Sequence, residues 1–563
     1  MTHDLLITGG TVVDGTGAPP RTADVAITDG VITAVGKVDG AAARTIDADG
    51  ALVTPGFVDI HAHYDGQATW AERMIPSSWH GVTTVVSGNC GVGFAPVRPS
   101  DHDRLIELME GVEDIPGVVL TEGLPWTWQS FPEFLDTLDG RAYDVDVAVH
   151  VPHGALRLHV MGERASAHEP ATAEDIETMA RLAAEAVRAG AIGFSTSRTL
   201  NHRTSTGEHT PTLTAGADEL IAIAEAIGET GQGVLQVVSD FADADAEFDL
   251  FAAMVQRSGR PLSFSMVQLP GRTQRLLERL VEANAAGIPM RAQVAPRPVG
   301  LLLALDGTVH PFRGNAAYEA LADLPRAERV ARLRRPEVRA EILAAASTAR
   351  PLDLSTVFEL GTPPQYEPHP SQSIAARAAA QGVDPLGLAY DLLVGEDGQG
   401  ILYLPLLNWT DGNLDEVRQM LAHPHTVVGL ADGGAHVATI CDASFPTTLL
   451  THWGRDRDRD RLDLAHLVHR QTQATAQTVG LLDRGVLAPG YRADVNVIDF
   501  DGLANRSPRM AYDLPAGGRR LLQEADGYLA TLVAGTVTYE RGEATGPLPG
   551  RLLRGPRPAP AAA

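Results

Sequence analysis

Apolar residues follow two different rhythms along this chain. Over residues 1–54, short β-branched runs alternate with polar positions and are broken by glycines. Around Asp29-Gly30 the alternation on both sides predicts a hairpin over residues 23–36. From Pro55 the rhythm changes to apolar runs of strand length separated by Ala-rich stretches with helical spacing. The runs predict strands at 56–60, 83–87, 145–150, 191–196, 233–238, 261–266, 289–294 and 426–431, and the stretches predict helices at 172–189, 217–229, 248–257 and 273–286. Alternation of this kind implies a parallel α/β sheet, and eight strands is the number that closes a (β/α)₈ barrel. Residues 295–425, between the seventh and eighth runs, are far too long for an ordinary βα loop. With helical stretches at 326–334 and 337–346, they read as an insertion that either covers the active site or is a structural excursion. Strand texture returns at 487–499 and 530–539.

The expected architecture is therefore an α/β fold: a TIM-like (β/α)₈ barrel over residues 55–480, plus a small β-sandwich domain built from both chain termini, residues 1–54 and 481–550. Residues 551–563, rich in Pro and Ala, are expected to form a flexible tail.

Composition narrows the class without naming a chemistry. Hydrophobic residues make up 44% and charged residues 21% of the 563, as in ordinary globular proteins. A net charge of −26 argues against nucleic acid and anionic membranes as partners. No apolar run reaches the roughly 18 residues of a membrane span, and Met1-Thr2-His3-Asp4 is not the start of a signal peptide. A cytoplasmic protein follows, and two cysteines, Cys90 and Cys441, suit a reducing compartment. Assembly into a homo-oligomer is left open.

Candidate chemistry lies at the C-terminal ends of the predicted barrel strands, where barrel enzymes carry their active sites. The first ends in Asp59-Ile60-His61-Ala62-His63, an HxH pair whose rings share one face of a strand and can meet one metal ion. The second runs into Gly88-Asn89-Cys90-Gly91, a turn that could present a thiolate or bury a small apolar side chain. The third leads to His153, a substrate hydrogen-bonding candidate or a helix cap. The eighth ends in Ala431-Asp432-Gly433-Gly434-Ala435-His436, where Asp432 could take a proton from an attacking water and His436 could face substrate.

These motifs, with Ile7-Thr8-Gly9-Gly10-Thr11-Val12-Val13-Asp14-Gly15, Gly81-Val82-Thr83-Thr84-Val85 and residues 487–499, resemble the amidohydrolase superfamily, and within it the N-acyl-D-amino-acid deacylase (D-aminoacylase) group. The resemblance covers nearly the whole chain. It implies a metal-dependent hydrolase of carbon–nitrogen bonds acting on a small-molecule amide. His61, His63 and Asp432 would line one metal position, Cys90 would belong to the other, and Asp432 would be the general base and acid.

Two departures modify that expectation. The group's second metal position takes histidines from strands five and six, yet residues 233–240 and 261–268 contain none. One divalent ion, Zn²⁺, held by His61, His63 and Asp432 is therefore expected rather than two, with Cys90 left as the remaining metal-binding candidate at the second position and Asp240, Gln236, Gln268, His202 and Cys441 as further donors to consider. Gln268 stands where the group has a lysine for the substrate carboxylate, which leaves Arg198 and Arg297 as substitute anion binders. The rival readings are a hydrolase of cyclic amides or of another acyl substrate without a free carboxylate, a catalytically silent scaffold, and a Cys90 nucleophile.

Overall fold

The computed structural model describes residues 3–346 and 352–561. Its centre is one eight-stranded parallel sheet in strict chain order: Phe57–Asp59, Val82–Ser87, Asp146–Pro152, Gly193–Arg198, Val234–Ser239, Leu262–Ser265, Met290–Val294 and Thr426–Val428. Each expected strand is present, shifted by a few residues at its ends. The four helices also form, as Ala173–Ala189, Ala217–Gly228, Ala244–Ser258 and Thr273–Ala285. Thr172 caps the first of these through a capping box with Asp175.

The sheet rolls up until strand one meets strand eight. Contact is made at the C-terminal mouth, where Asp432 N–H donates to the His61 carbonyl (3.0 Å) and His63 N–H to that of Gly433 (2.8 Å). Both bonds lie beyond the formal strand ends, so the barrel closes through the residues singled out for chemistry.

Residues from both termini build a second, nine-stranded sheet. Val495–Ile498 runs antiparallel to Leu52–Pro55, with Val497 opposite Val53, and this pairing joins the early strands to the late ones. The Asp29-Gly30 hairpin forms between Arg21–Thr28 and Val31–Gly36. Ile7, Val25, Ile27, Val53, Val495 and Leu532 pack into a separate core, so the sheet wraps around its own apolar face.

Three features differ from the sequence reading. The 295–425 insertion does form helices at Arg326–Leu333 and Pro336–Ala346, but it also contains an antiparallel sheet of Val299–Leu303, Leu402–Leu407 and Phe358–Glu359, with its own core around Leu303, Tyr318 and Tyr390. Near the C-terminus, the hairpin Arg509–Leu514 and Gly518–Leu522 leaves the terminal sheet and reaches the barrel mouth, where Leu521 N–H donates to the Val437 carbonyl (2.6 Å). Finally, the expected flexible tail is docked as far as Arg557. Leu552 and Leu553 are buried, Leu553 N–H donates to Val147 O (2.7 Å), and Gly555 N–H donates to Gly190 O (2.8 Å). Composition suggested nothing to bury there, but two leucines and a few backbone bonds at the N-terminal end of the barrel suffice. Ala562 and Ala563 lie outside the described residues. No described helix is long and apolar enough to cross a membrane.

Candidate metal centre

His61 and His63 leave strand one with both rings buried, their centroids 5.5 Å apart. Cys90 enters from the turn after strand two. Gly88, which starts that turn, has φ +76°, and a Cβ there would lie 2.5 Å from the His150 carbonyl, so a side chain is excluded. Asp432 arrives from strand eight. Cys90 (φ 56°), Leu430 (φ 59°), Asp432 (φ 46°) and His436 (φ 47°) all adopt left-handed backbone, a concentration of strained non-glycine residues that marks functional sites.

Four donor atoms converge. His61 Nε2 lies 3.3 Å from Cys90 Sγ and 3.4 Å from Asp432 Oδ1, and His63 Nε2 lies 3.6 Å from the same oxygen. One ligand atom from each of His61, His63 and Cys90 falls within 4.8 Å of the other two. With zinc bonds of about 2.0–2.3 Å, tetrahedral ligand atoms stand roughly 3.3–3.8 Å apart. The His61, His63 and Cys90 group could hold a metal ion, and Asp432 Oδ1 stands at ligand-like spacing from both imidazoles.

The far sides of the rings are held as well. His61 Nδ1–H donates to Gln293 Oε1 (2.6 Å), which leaves the Nε2 lone pair facing Cys90 and Asp432. His63 Nδ1 lies 3.3 Å from Glu113 Oε1. Neither Glu113 nor Gln293 belongs to a recognisable motif. Gln293, a polar residue near the end of an apolar strand, was detectable at its strand end. Glu113 ends the helix His102–Glu113, and nothing in its local sequence distinguishes it.

Charge is distributed accordingly. Burial alone would raise the pKa of Asp432, but the His63 hydrogen bond and the neighbouring His61 hold it well below the usual carboxylate range. Burial opposes charge on His63, yet Glu113 and Asp432 overcome it and push its pKa well above the usual imidazole value. Burial pushes the Cys90 thiol up to about 12, despite His63 beside it. A thiol in that state is a poor free nucleophile.

Positions where a second ion would need imidazoles hold neutral side chains that are already engaged. Gln236 Oε1, on strand five, accepts from Cys90 N–H (3.1 Å). On strand six, Ser263 Oγ accepts from Gln293 Nε2 (2.9 Å). Asp240 turns away to Leu200 N–H (2.7 Å), His202 Nδ1 bonds Ser197 Oγ (2.9 Å), and Cys441 is buried beside Leu302 and Tyr403.

The expected recognition residues are placed less uniformly. His153 is fully buried between Thr196 Oγ1 (2.8 Å) and Glu219 Oε1 (2.8 Å). Arg198 makes a bidentate pair with Glu247, and buried Arg297 is spent on Asp442 (2.9 Å), Ser444, Thr448 and the face of Tyr366. Gln268 Nε2 donates to Asp411 Oδ2 (3.1 Å) and its Oε1 accepts from Thr410 N–H (3.1 Å), tying strand six to the insertion. Of the five, His436 stays partly open, 3.8 Å from Glu113 Oε2.

The pattern of the amidohydrolase family matches residues 44–539. The chain belongs to the amidohydrolase family. It is 30% identical to the N-acyl-D-glutamate deacylase of Alcaligenes xylosoxydans xylosoxydans over 530 residues, covering 92% of this chain and 91% of that one. Among solved structures, it is similar to a D-aminoacylase studied for the functional role of its binuclear metal centre, with one-metal activation and second-metal attenuation (TM-score 0.66, 25% identity, 99% and 100% of the two chains). It is also similar to the N-acyl-D-glutamate deacylase of Bordetella bronchiseptica in complex with zinc and a phosphonate inhibitor, a mimic of the reaction tetrahedral intermediate (TM-score 0.65, 26% identity, 98% and 100%). The protein is an amidohydrolase that acts on non-peptide carbon–nitrogen bonds, of the D-aminoacylase type of fold.

Proposed function

We propose that this amidohydrolase removes the acyl group from a small N-acyl-D-amino acid, using one zinc ion bound by His61, His63, Cys90 and Asp432. The observation that carries this reading is the grouping of ligand atoms of His61, His63 and Cys90 within 4.8 Å of one another, with Asp432 Oδ1 3.4 and 3.6 Å from the two Nε2 atoms. Thiolate, imidazole and carboxylate together suit zinc, and the relatives with zinc or a studied metal centre support that choice. When bound, the ion supplies Lewis acidity, polarising the amide carbonyl and acidifying the attacking water.

The remaining work falls to the chain's own side chains. Asp432 Oδ1 faces the histidines, while its Oδ2 makes no hydrogen bond among the described residues. That free oxygen takes the proton of the attacking water and returns it to the departing amine nitrogen. Gln293 holds the His61 ring at Nδ1, and the backbone bond from Asp432 to His61 O keeps base and ring in register.

A second reading is favoured by the arginines. Arg198 and Arg297 are committed to internal carboxylates, and the one lysine in the sequence, Lys37, follows a strand of the terminal sheet. With both of these arginines so committed, an amide without a free carboxylate, including a cyclic amide, suits the site.

Turnover of N-acetyl-D-amino acids against their L-enantiomers and against hydantoins, together with zinc per chain by elemental analysis, tests both readings. D-selective deacylation at one zinc per chain is expected. Hydrolysis of hydantoins alone overturns the first reading in favour of the second, and metal-free protein with full activity overturns both.

A further inference from the structure

Glu113 is a buried carboxylate with no lysine or arginine among its ion-pair partners. Its side chain is 3% exposed, and the groups that face it are His63, with Nδ1 3.3 Å from Oε1, and His436, with Nε2 3.8 Å from Oε2. Its own backbone carbonyl accepts from His436 N–H. Among the described residues, buried Glu113 Oε1 and His63 Nδ1 each have no aligned hydrogen bond, and these two unsatisfied polar atoms face each other at 3.3 Å. Burying a carboxylate that faces only imidazoles costs stability, so its placement against His63 calls for a role beyond packing.

The two histidines make the role clearer by comparison. His61 has its Nδ1–H held by Gln293 Oε1, with Nε2 turned to Cys90 and Asp432. His63 is turned the same way, with Nε2 toward Asp432 and Nδ1 3.3 Å from Glu113 Oε1, but without an aligned hydrogen bond of the kind Gln293 makes to His61. We infer that Glu113 is a positioning residue of the metal centre, the counterpart for His63 of Gln293 for His61: by accepting from His63 Nδ1–H when the ion is bound it sets the tautomer and ring angle that present His63 Nε2 to the ion. A carboxylate in this place also makes the imidazole a better donor than a neutral amide does.

The same residue links the ring to the strand-eight loop. Asp114, next in the chain and in left-handed backbone (φ 50°), accepts from Thr439 Oγ1 (3.2 Å), while Glu113 holds His436 through its carbonyl and faces it with its carboxylate. The end of the helix His102–Glu113 thus ties His63 to the loop that carries Asp432.

This role rests on the zinc reading above, and the experiment separates the two. Zinc affinity of full-length wild type, Glu113→Leu and Glu113→Gln is measured by competition with a chromophoric chelator. The visible spectrum of the Co²⁺ form and the thermal midpoint of the metal-free form are recorded alongside. Glu113→Leu is expected to bind zinc about 10–100-fold more weakly, with an altered Co²⁺ spectrum and an unchanged or higher metal-free midpoint. Glu113→Gln, which keeps a carbonyl acceptor for His63 Nδ1–H, falls between it and wild type, and decides the matter if Glu113→Leu does not fold. Wild-type affinity and spectrum in the variants that fold overturn the role of Glu113 alone. A wild-type chain that binds no zinc overturns the metal reading and this one with it.

Discussion

The backbone N–H of Asp432 donates to the carbonyl of His61 at 3.0 Å, and the carboxylate of the same residue stands 3.4 Å from the His61 ring. The contact that closes the barrel between its first and eighth strands is thereby the contact that aims the proposed base. A backbone hydrogen bond survives side-chain substitution, so the carboxylate can be tested without opening the barrel.

Asp432→Asn removes the proton acceptor and keeps the backbone bond. Its kcat is expected to fall by about 10²–10⁴-fold, alongside a lower thermal midpoint of the metal-free protein, because the imidazoles that hold the Asp432 carboxylate ionised lose their partner. Steady-state kinetics on the best N-acyl substrate check this, and turnover close to that of wild type would remove Asp432 from the chemistry.

Zinc binding is expected to depend on pH with a definite sign. The Cys90 thiol, raised to about 12 by burial, is protonated throughout the neutral range and binds as thiolate. Its proton must leave when the ion enters, so affinity rises with pH, by up to about tenfold per unit for each proton released. Competition titrations between pH 6.5 and 8 check the slope. Cys90→Ala should flatten it and weaken binding.

Arg297→Met tests whether this arginine serves substrate or fold. Stranding buried Asp442 is expected to cost about 3–5 kcal/mol, seen as a lower unfolding midpoint, because Arg297 donates to Asp442 at 2.9 Å and is buried under Tyr366. A raised KM with an unchanged midpoint would instead make it an anion binder.

Glu367 fastens the insertion to the barrel, accepting from Arg457 (3.0 Å) and pairing with His452 (2.8 Å). Burial alone would raise its pKa, but these partners hold it at about 2, against an ordinary value of 4.5. A depressed carboxylate contributes stability that is present above its unfolded pKa and lost as pH falls through the folded one. Glu367→Gln should therefore cost about 2–3 kcal/mol at pH 7, with the difference from wild type beginning to shrink below pH 4.5. Denaturation midpoints at pH 7 and pH 3.5 read the effect.

Much of this molecule is legible in one dimension. The eight strands and the four helices between them appear from periodicity, because strand and helix spacing are local properties of the chain. The HxH pair and the Gly-Asn-Cys-Gly turn announce themselves for the same reason. The docked tail carries only two large apolar residues, Leu552 and Leu553, in a Pro-rich stretch, and the insertion's apolar runs at 299–303 and 402–407 become a sheet only by pairing with each other across a long separation in the chain.

What the sequence by itself determined, then, is the barrel, the terminal sheet, the family and the two histidines on one face of strand one. Only the tertiary structure decided the company they keep. Cys90 and Asp432 come against His61 and His63 because the barrel closes there. Glu113 reaches His63 from the end of a helix with no motif. Arg198 and Arg297, apparently free on loops, prove committed to Glu247 and Asp442. The physical reason is that spacing along the chain sets which way a side chain points, while burial against a distant partner sets what it meets, and in this fold those partners lie tens to hundreds of residues apart.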